Sequence, residues 1–175
     1  GTGLEIASGT GEHVALFAET LPGLTWQPSD IDPDQIASIR AWTRELPNVH
    51  DPIRIDVTEA GWSGPLASPN LIFLSNLLHL ISQPEAQTAV TEAARLLAPG
   101  GWFLVYGPFR RGIDFASQGD HAFDASLRSQ DPEIGYKPFE TVQAWQSQSG
   151  LQDLSVTNMP ANNLILAGRR PITTT

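Results

Sequence analysis

The sequence predicts an α/β fold built on a mostly parallel sheet. Short apolar runs alternate with stretches of helical periodicity along the chain. The first run, Leu4-Glu5-Ile6, breaks into the small-residue turn Ala7-Ser8-Gly9-Thr10-Gly11, from which a helix starts at about Glu12. Only Met159-Pro160-Ala161-Asn162-Asn163 separates the last two runs. No right-handed crossover fits there, so those two strands form an antiparallel hairpin on an otherwise parallel sheet.

Each element has a local reason. Val14, Phe17, Ala18 and Leu21 recur at helical spacing, and Pro22-Gly23 stops that helix. Leu24 to Pro28 reads as the second strand and ends in Ser29-Asp30-Ile31-Asp32-Pro33. Pro33 suits a first helical position, with Asp32 before it placed to cap. Ile36, Ile39 and Thr43 then share one face, and Pro47-Asn48 closes the helix. Ile53-Arg54-Ile55 is a short third strand ending at Asp56. Leu71 to Ser75 is a continuous apolar run, as expected of a parallel strand covered on both faces. A helix from about Pro84 turns Ala86, Ala89, Val90, Ala93 and Leu97 inward, and Pro99-Gly100-Gly101 leads into the fifth strand, Trp102 to Tyr106. Residues 110–137 form a polar stretch too long for a simple connection, which predicts a lid or insert. Phe123 and Leu127, with Ala122, place a short helix within it. Pro138 to Ser149 reads as a further helix, and Leu151–Thr157 and Leu164–Ala167 as the closing strands.

The bulk numbers bound the function. With 175 residues and 41% hydrophobic content the chain can bury a full core as one domain. Ten basic against nineteen acidic residues give a net charge of -9, which argues against general binding to nucleic-acid backbones. Arg110-Arg111 is a local basic pair, a solvated loop or a grip on one anionic group. The absence of cysteine removes disulfides and thiolate chemistry and fits a cytoplasmic protein. No apolar run has the length of a membrane span, and no signal peptide is visible. His13, His50, His79 and His121 lack metal-ligand spacing, so no metal is expected. Neither a phosphate-binding G-x-x-x-x-G-K-[ST] loop nor a nucleophile elbow occurs.

A glycine turn after one strand and a carboxylate after the next is how an α/β sheet holds a nucleoside. The glycines let a ligand approach the backbone, and Asp30 can accept both ribose hydroxyl protons. A dinucleotide site wants a third glycine where this chain has Val14, and no lysine or arginine lies near the turn for a pyrophosphate. A nicotinamide oxidoreductase is therefore disfavoured.

The turn resembles the E-x-G-x-G-x-G sequence of class I S-adenosylmethionine methyltransferases, with Ala7 in place of the first glycine. Leu4 to His13, Trp26-Gln27-Pro28-Ser29-Asp30-Ile31-Asp32-Pro33, Ser38 to Trp42, Tyr106-Gly107-Pro108-Phe109 and Met159 to Asn163 together resemble one group, DUF938, similar to methyltransferase-like protein 26. The resemblance covers nearly the whole chain. It implies a Rossmann-like sheet of order 3-2-1-4-5-7-6 with helices on both faces, and S-adenosyl-L-methionine as cofactor. By position it implies that Glu5 faces the methionine ammonium and that Ala7, Ser8, Gly9 and Gly11 wrap the methionine part. Asp30 holds the ribose, with Asp32 the rival for that role; Ile31 packs on the adenine. Asp56, followed by Val57, receives the adenine amino group, and Ser75-Asn76 lies beside the transferred methyl. Class I methyltransferases usually carry a helix ahead of the first strand; only Gly1-Thr2-Gly3 precedes it here, so that helix is expected to be missing from this sequence.

Methyl transfer is an in-line displacement that needs alignment and desolvation, and a base only for a protonated acceptor. His79, three residues beyond Asn76, is the candidate base, or else a histidine that only bonds a loop. Tyr106 lines the acceptor pocket or packs in the core. Asn162 and Asn163 orient an acceptor or fix their turn. Arg110, Arg111, Asp120, His121 and Asp124 fall in the expected lid, where an acceptor is selected. The acidic balance favours a small-molecule acceptor. A second reading is a catalytically inactive cofactor-binding protein that acts through a partner.

Overall fold

The computed structural model describes residues 1–172. Seven strands form one sheet: β1 (Thr2–Ile6), β2 (Thr25–Asp30), β3 (Ile53–Arg54), β4 (Leu71–Ser75), β5 (Trp102–Gly107), β6 (Gln152–Asn158) and β7 (Leu164–Arg169). Their order is β3-β2-β1-β4-β5-β7-β6. All neighbours are parallel except β5 with β7 and β6 with β7. Among the described residues, five α-helices connect them: α1 (Glu12–Thr20), α2 (Pro33–Thr43), α3 (Gln83–Leu96), α4 (Gln118–Gln130) and α5 (Phe139–Gln148).

Strand alternation divides the sheet into two faces. Leu4, Ile6, Ile72, Leu74, Phe103, Val105, Leu164 and Leu166 are buried in the larger core, with Ala86, Ala89, Val90 and Ala93 of α3 and Val142 and Trp145 of α5. A smaller core on the opposite side joins Val14 and Ala18 of α1, Trp26 of β2, and Ile36 and Ile39 of α2. Coverage is uneven. On β4 and β5, Leu71, Phe73, Leu104 and Tyr106 remain half-exposed while their alternating neighbours are buried. The apolar run Leu71 to Ser75 is covered on both faces, as expected, more completely on the side of α3 than on the side where Phe73 meets Phe17 of α1 at 4.9 Å. β6 is an edge strand exposed along its whole length.

The helix ends follow their side chains. Asp32 accepts from the Asp34 amide at 2.8 Å and Pro33 opens α2, so Asp32 is a cap. At α3, Ser82 and Glu85 form a reciprocal capping box that the sequence reading passed over. The 57–70 segment has no strand or helix. Glu92 of α3 holds it by accepting from the amides of Gly61 and Ser63 and the Ser63 hydroxyl, with Trp62 buried beneath. Two single 3-10 turns, Leu78–Leu80 and Pro160–Asn162, were also not foreseen. The helix expected within residues 110–137 is present as the thirteen residues of α4. Among the described residues, no helix is long and apolar enough to cross a membrane.

Candidate functional site

The chain runs outward from β1 to β2 and β3, then returns to lay β4 on the other side of β1. That reversal opens a crevice at the carboxyl ends of β1 and β4, where open α/β sheets bind ligands. Two clefts occupy it. One, of about 260 Å³, lies between the turn after β1, the start of α1 and the end of β4, and includes Ser8, Gly9, His13, Ser75 and Asn76. The other, of about 230 Å³, is mainly aliphatic, with Ile31, Ile55, Val57, Leu77 and Ile81 around Asp56. Ala7 lines both and joins them.

Backbone geometry fixes the turn. Gly9 has φ +58°, and the space a side chain would fill there is open. Gly11, with φ +96°, lies so close to α2 that a Cβ would stand 2.8 Å from the Ile39 Cα. Ala7, where the resembling sequences have glycine, also adopts a left-handed φ of 53°, as does Asn76 at the end of β4. A non-glycine residue there costs roughly 1–2 kcal/mol, less for asparagine. Both strained residues border the first cleft.

Two acids sit under this turn. The Gly9 amide donates to Asp30 Oδ2 at 2.9 Å, and the Asp32 amide donates to Asp30 Oδ1 at 3.0 Å. Asp30 therefore ties the turn after β1 to the end of β2, and each oxygen keeps a second acceptor direction. Glu5 is 1% exposed, and its Oε2 has no hydrogen-bond partner among the described residues. Burial raises its carboxyl to about 7, against the lowering effect of the Ser8 hydroxyl; the charge of Asp30 raises it further. Asp56 Oδ1 accepts from the Thr58 amide at 3.0 Å and the Thr58 hydroxyl at 2.6 Å, which holds it at the rim of the aliphatic cleft.

The structure thus brings Ala7, Ser8, Gly9, Ser75 and Asn76 to one cleft and Ile31, Asp56 and Val57 to the other, with Glu5, Gly11 and Asp30 supporting the turn between them. The three residues expected to serve catalysis line neither cleft. His79 is 7% exposed, with its ring 6.0 Å from that of Phe123 and 5.9 Å from that of Tyr136. Burial, and then the charge of Lys137, lowers its imidazole to about 4. Tyr106 accepts from the Asn163 amide at 3.1 Å through its hydroxyl. Asn162 donates to Asp120 Oδ2 at 3.2 Å, and its carbonyl accepts from Arg111.

Asp120 also accepts from Ser117 and from the Tyr136 hydroxyl, so one carboxylate joins α4, the segment after it and the Pro160–Asn162 turn. Asp124 pairs with Arg128 at 2.9 Å and accepts from the Tyr136 amide at 2.7 Å. Arg110 stacks on Phe115, and His121 meets the same ring edge-on. The sequence reading missed Tyr136 and Lys137. Lys137 is 4% exposed, donates to the carbonyls of Ile81 and Gly135, and is pushed down to about 8 by burial. It also missed His13, whose place one turn before Phe17 was the available signal. Among the described residues, no three His, Cys, Asp or Glu side chains gather as a metal site.

Comparison with known proteins places these features. The profile of a family described as "Protein of unknown function (DUF938)" matches residues 2–170. An O-methyltransferase family protein from Burkholderia thailandensis is similar in fold, with a TM-score of 0.87 and 19% identity over 99% of this chain and 52% of its own. Human N-acetylserotonin methyltransferase, solved in complex with SAM, gives 0.80 and 16% over 97% of this chain and 47% of its own. An O-methyltransferase family 2 protein from Planctomyces limnophilus, in complex with apigenin, gives 0.82 and 17% over 97% and 50%. The chain spans about half the length of these proteins, and at such identities the likeness is one of fold.

Proposed function

The chain belongs to the DUF938 family, and from that premise we propose that it is an S-adenosylmethionine-dependent methyltransferase acting on a small-molecule acceptor. The observation that carries this reading is Glu5, a buried carboxyl with an unpartnered oxygen beneath a glycine turn that Asp30 holds in place. A protein seldom buries an orphan carboxylate oxygen without a use for it. A cationic ligand group would supply the missing partner. The cofactor's size and chemistry fit the two clefts: a polar one for the amino-acid part, and an aliphatic one with Asp56 at its rim for the base. When bound, S-adenosylmethionine supplies an activated methyl on a sulfonium.

The chain's own residues bind, orient and exclude water. Glu5 takes the ammonium, and Ala7, Ser8, Gly9 and Gly11 shape the floor. Asp30 uses its free acceptor directions for the ribose hydroxyls. Ile31 and Val57 flank the base, Asp56 receives its amino group, and Ser75 and Asn76 border the methyl. The acceptor enters on the side of Tyr106, Asn162 and His79, under the 110–137 segment acting as a lid. His79, held neutral by its surroundings, is the proposed base for an acceptor that must lose a proton. The small-molecule class is supported by the net charge of -9, which disfavours nucleic acid, and by the apigenin complex of the Planctomyces protein of similar fold.

Calorimetric titration with S-adenosylmethionine and S-adenosylhomocysteine tests binding. Release of S-adenosylhomocysteine across a panel of small acceptors tests turnover. Saturable binding with release supports the proposal. Binding with no release from any acceptor would leave a catalytically inactive cofactor-binding protein. Failure to bind either nucleoside would overturn both.

A further inference from the structure

The strap Gly135-Tyr136-Lys137 clasps the turn that carries His79. The Gly135 amide donates to the His79 carbonyl at 3.0 Å, and the Tyr136 ring lies 5.9 Å from the imidazole. Lys137 Nζ donates to the Ile81 carbonyl and, at 3.0 Å, to that of Gly135. The strap is itself fixed from behind. Its Tyr136 amide donates to Asp124 at 2.7 Å, and the Arg110 amide donates to the Lys137 carbonyl at 3.0 Å. Gly135 has φ +128°, and a Cβ there would stand 2.6 Å from Asp124 Oδ1 and 2.7 Å from Arg128 Cζ, so α4 presses directly on it.

Lys137 does more than pin two segments. An uncharged donor could bridge two carbonyls at far lower desolvation cost than a buried ammonium. Among the described residues no carboxylate lies within ion-pair distance of Lys137. Glu85 of α3 and Asp124 of α4 favour its charge from farther off, and Arg128 opposes it. Despite burial it keeps its proton up to about pH 8. A positive charge that is 4% exposed thus acts on an imidazole that is 7% exposed, where screening by water is weak. Burial and this ammonium act on the imidazole in the same direction, against a second positive charge.

Resting on the methyltransferase reading, in which His79 is the base, we infer that Lys137 is its positioning residue: it locks the His79 turn to the proposed lid and, through its charge, keeps the imidazole free to take a proton from an acceptor. NMR titration tests this with neither cofactor nor acceptor present. The His79 ring signals, identified by their loss in His79→Gln, are followed from about pH 4.5 to 9.5 in wild type, Lys137→Met and Lys137→Arg. Methionine keeps an unbranched apolar stem and removes the charge; arginine keeps the charge and the donors. Lys137→Met should raise the proton affinity of His79 by about 3-fold or more, and Lys137→Arg should stay within about 2-fold of wild type. Where an acceptor turns over, the acid limb of S-adenosylhomocysteine release should move with the titration, and a limb that stays in place overturns the assignment. An unchanged His79 titration in Lys137→Met, or equal shifts in both variants, overturns it too. If the variants do not fold, wild type decides the case. Its His79 ring shifts should show a second step as the Lys137 Cε signal reports loss of the ammonium proton at about pH 8, and absence of that step overturns the inference. If wild type binds no S-adenosylmethionine, the methyltransferase reading fails, while the titration still decides whether Lys137 governs the charge of His79.

Discussion

Replacing Glu5 with glutamine isolates the energetic consequence of burying a carboxyl under the glycine turn. Burial raises this group from 4.5 to about 7. At 1.36 kcal/mol per pH unit that displacement corresponds to about 3 kcal/mol. Between those two values the folded protein binds more protons than the unfolded chain, so the contribution of Glu5 to stability falls as pH rises and is fully unfavourable above about 7. His79 acts in the opposite sense. Its imidazole is lowered from 6.5 to about 4, so in that window the unfolded chain binds the extra proton and stability rises with pH. The two slopes oppose each other in wild type, and the difference between variant and wild type removes His79 from the comparison. Glutamine mimics the neutral acid. Urea denaturation of the cofactor-free protein, followed by tryptophan fluorescence from pH 4.5 to 8.5, should show the two proteins nearly equal at the acid end. At pH 8 Glu5→Gln should be more stable by up to about 3 kcal/mol, or roughly 6–12 °C in Tm. A difference that stays flat with pH, or a variant less stable than wild type at pH 8, would refute the account of Glu5 as a destabilising charge held for a ligand.

Three further outcomes follow from particular contacts. Gly11→Ala puts a Cβ 2.8 Å from the Ile39 Cα at a φ of +96° and should lower stability by roughly 2–4 kcal/mol in urea, the sum of overpacking and a left-handed alanine; a loss below about 1 kcal/mol would mean that α1 and α2 are not packed as described. His79→Ala should cut S-adenosylhomocysteine release by about 100-fold or more while cofactor affinity, read by calorimetry, stays near wild type; an unchanged rate removes His79 as the base. Asp120→Ala breaks the bonds from Ser117, Tyr136 and Asn162 and should speed amide exchange in α4 and the Pro160–Asn162 turn, with a stability loss of about 1–3 kcal/mol; unchanged exchange in both elements would mean that Asp120 does not join them.

The strand-end features were legible because they are local. Leu4-Glu5-Ile6 followed by small residues predicts a strand and a tight turn from conformational cost alone. Asp32-Pro33 announces the start of α2 because a cap and a preset φ act within three residues. The short link before Leu164 forces the β6–β7 hairpin by chain length. What stayed hidden depends on distant partners. Glu92 bonds a loop some thirty residues away, and nothing in its own neighbourhood marks it for that. The apolar run Leu71 to Ser75 suggests cover on both faces, but its composition does not say that α1 leaves Leu71 and Phe73 half-buried while α3 closes fully over Ile72 and Leu74. Spacing of three residues from Asn76 places His79 near the end of β4 but does not name its neighbours. The Leu78–Leu80 turn packs it among the rings of Phe123 and Tyr136, which come from another segment.

The position at Ala7 shows how function and stability compete in this site. Glycine there would relieve a strained φ, yet the methyl group lines both clefts, and the residue joins the polar end of the crevice to its aliphatic end. Asp56 lines this crevice, Asp30 and the buried Glu5 lie beneath its turn, and among the described residues His13 is the one basic side chain on its walls. The left-handed φ of Ala7 and the unpartnered oxygen of Glu5 both oppose folding, and relieving the second calls for a positively charged ligand group. On the proposed reading, the sulfonium cofactor meets that requirement better than the neutral thioether left after transfer. On that reading, loss of the sulfonium charge would remove favourable interaction energy with the acids beneath the turn just when the product has to leave. On the same reading, the features that weaken the fold would also bias the exchange of product for fresh cofactor.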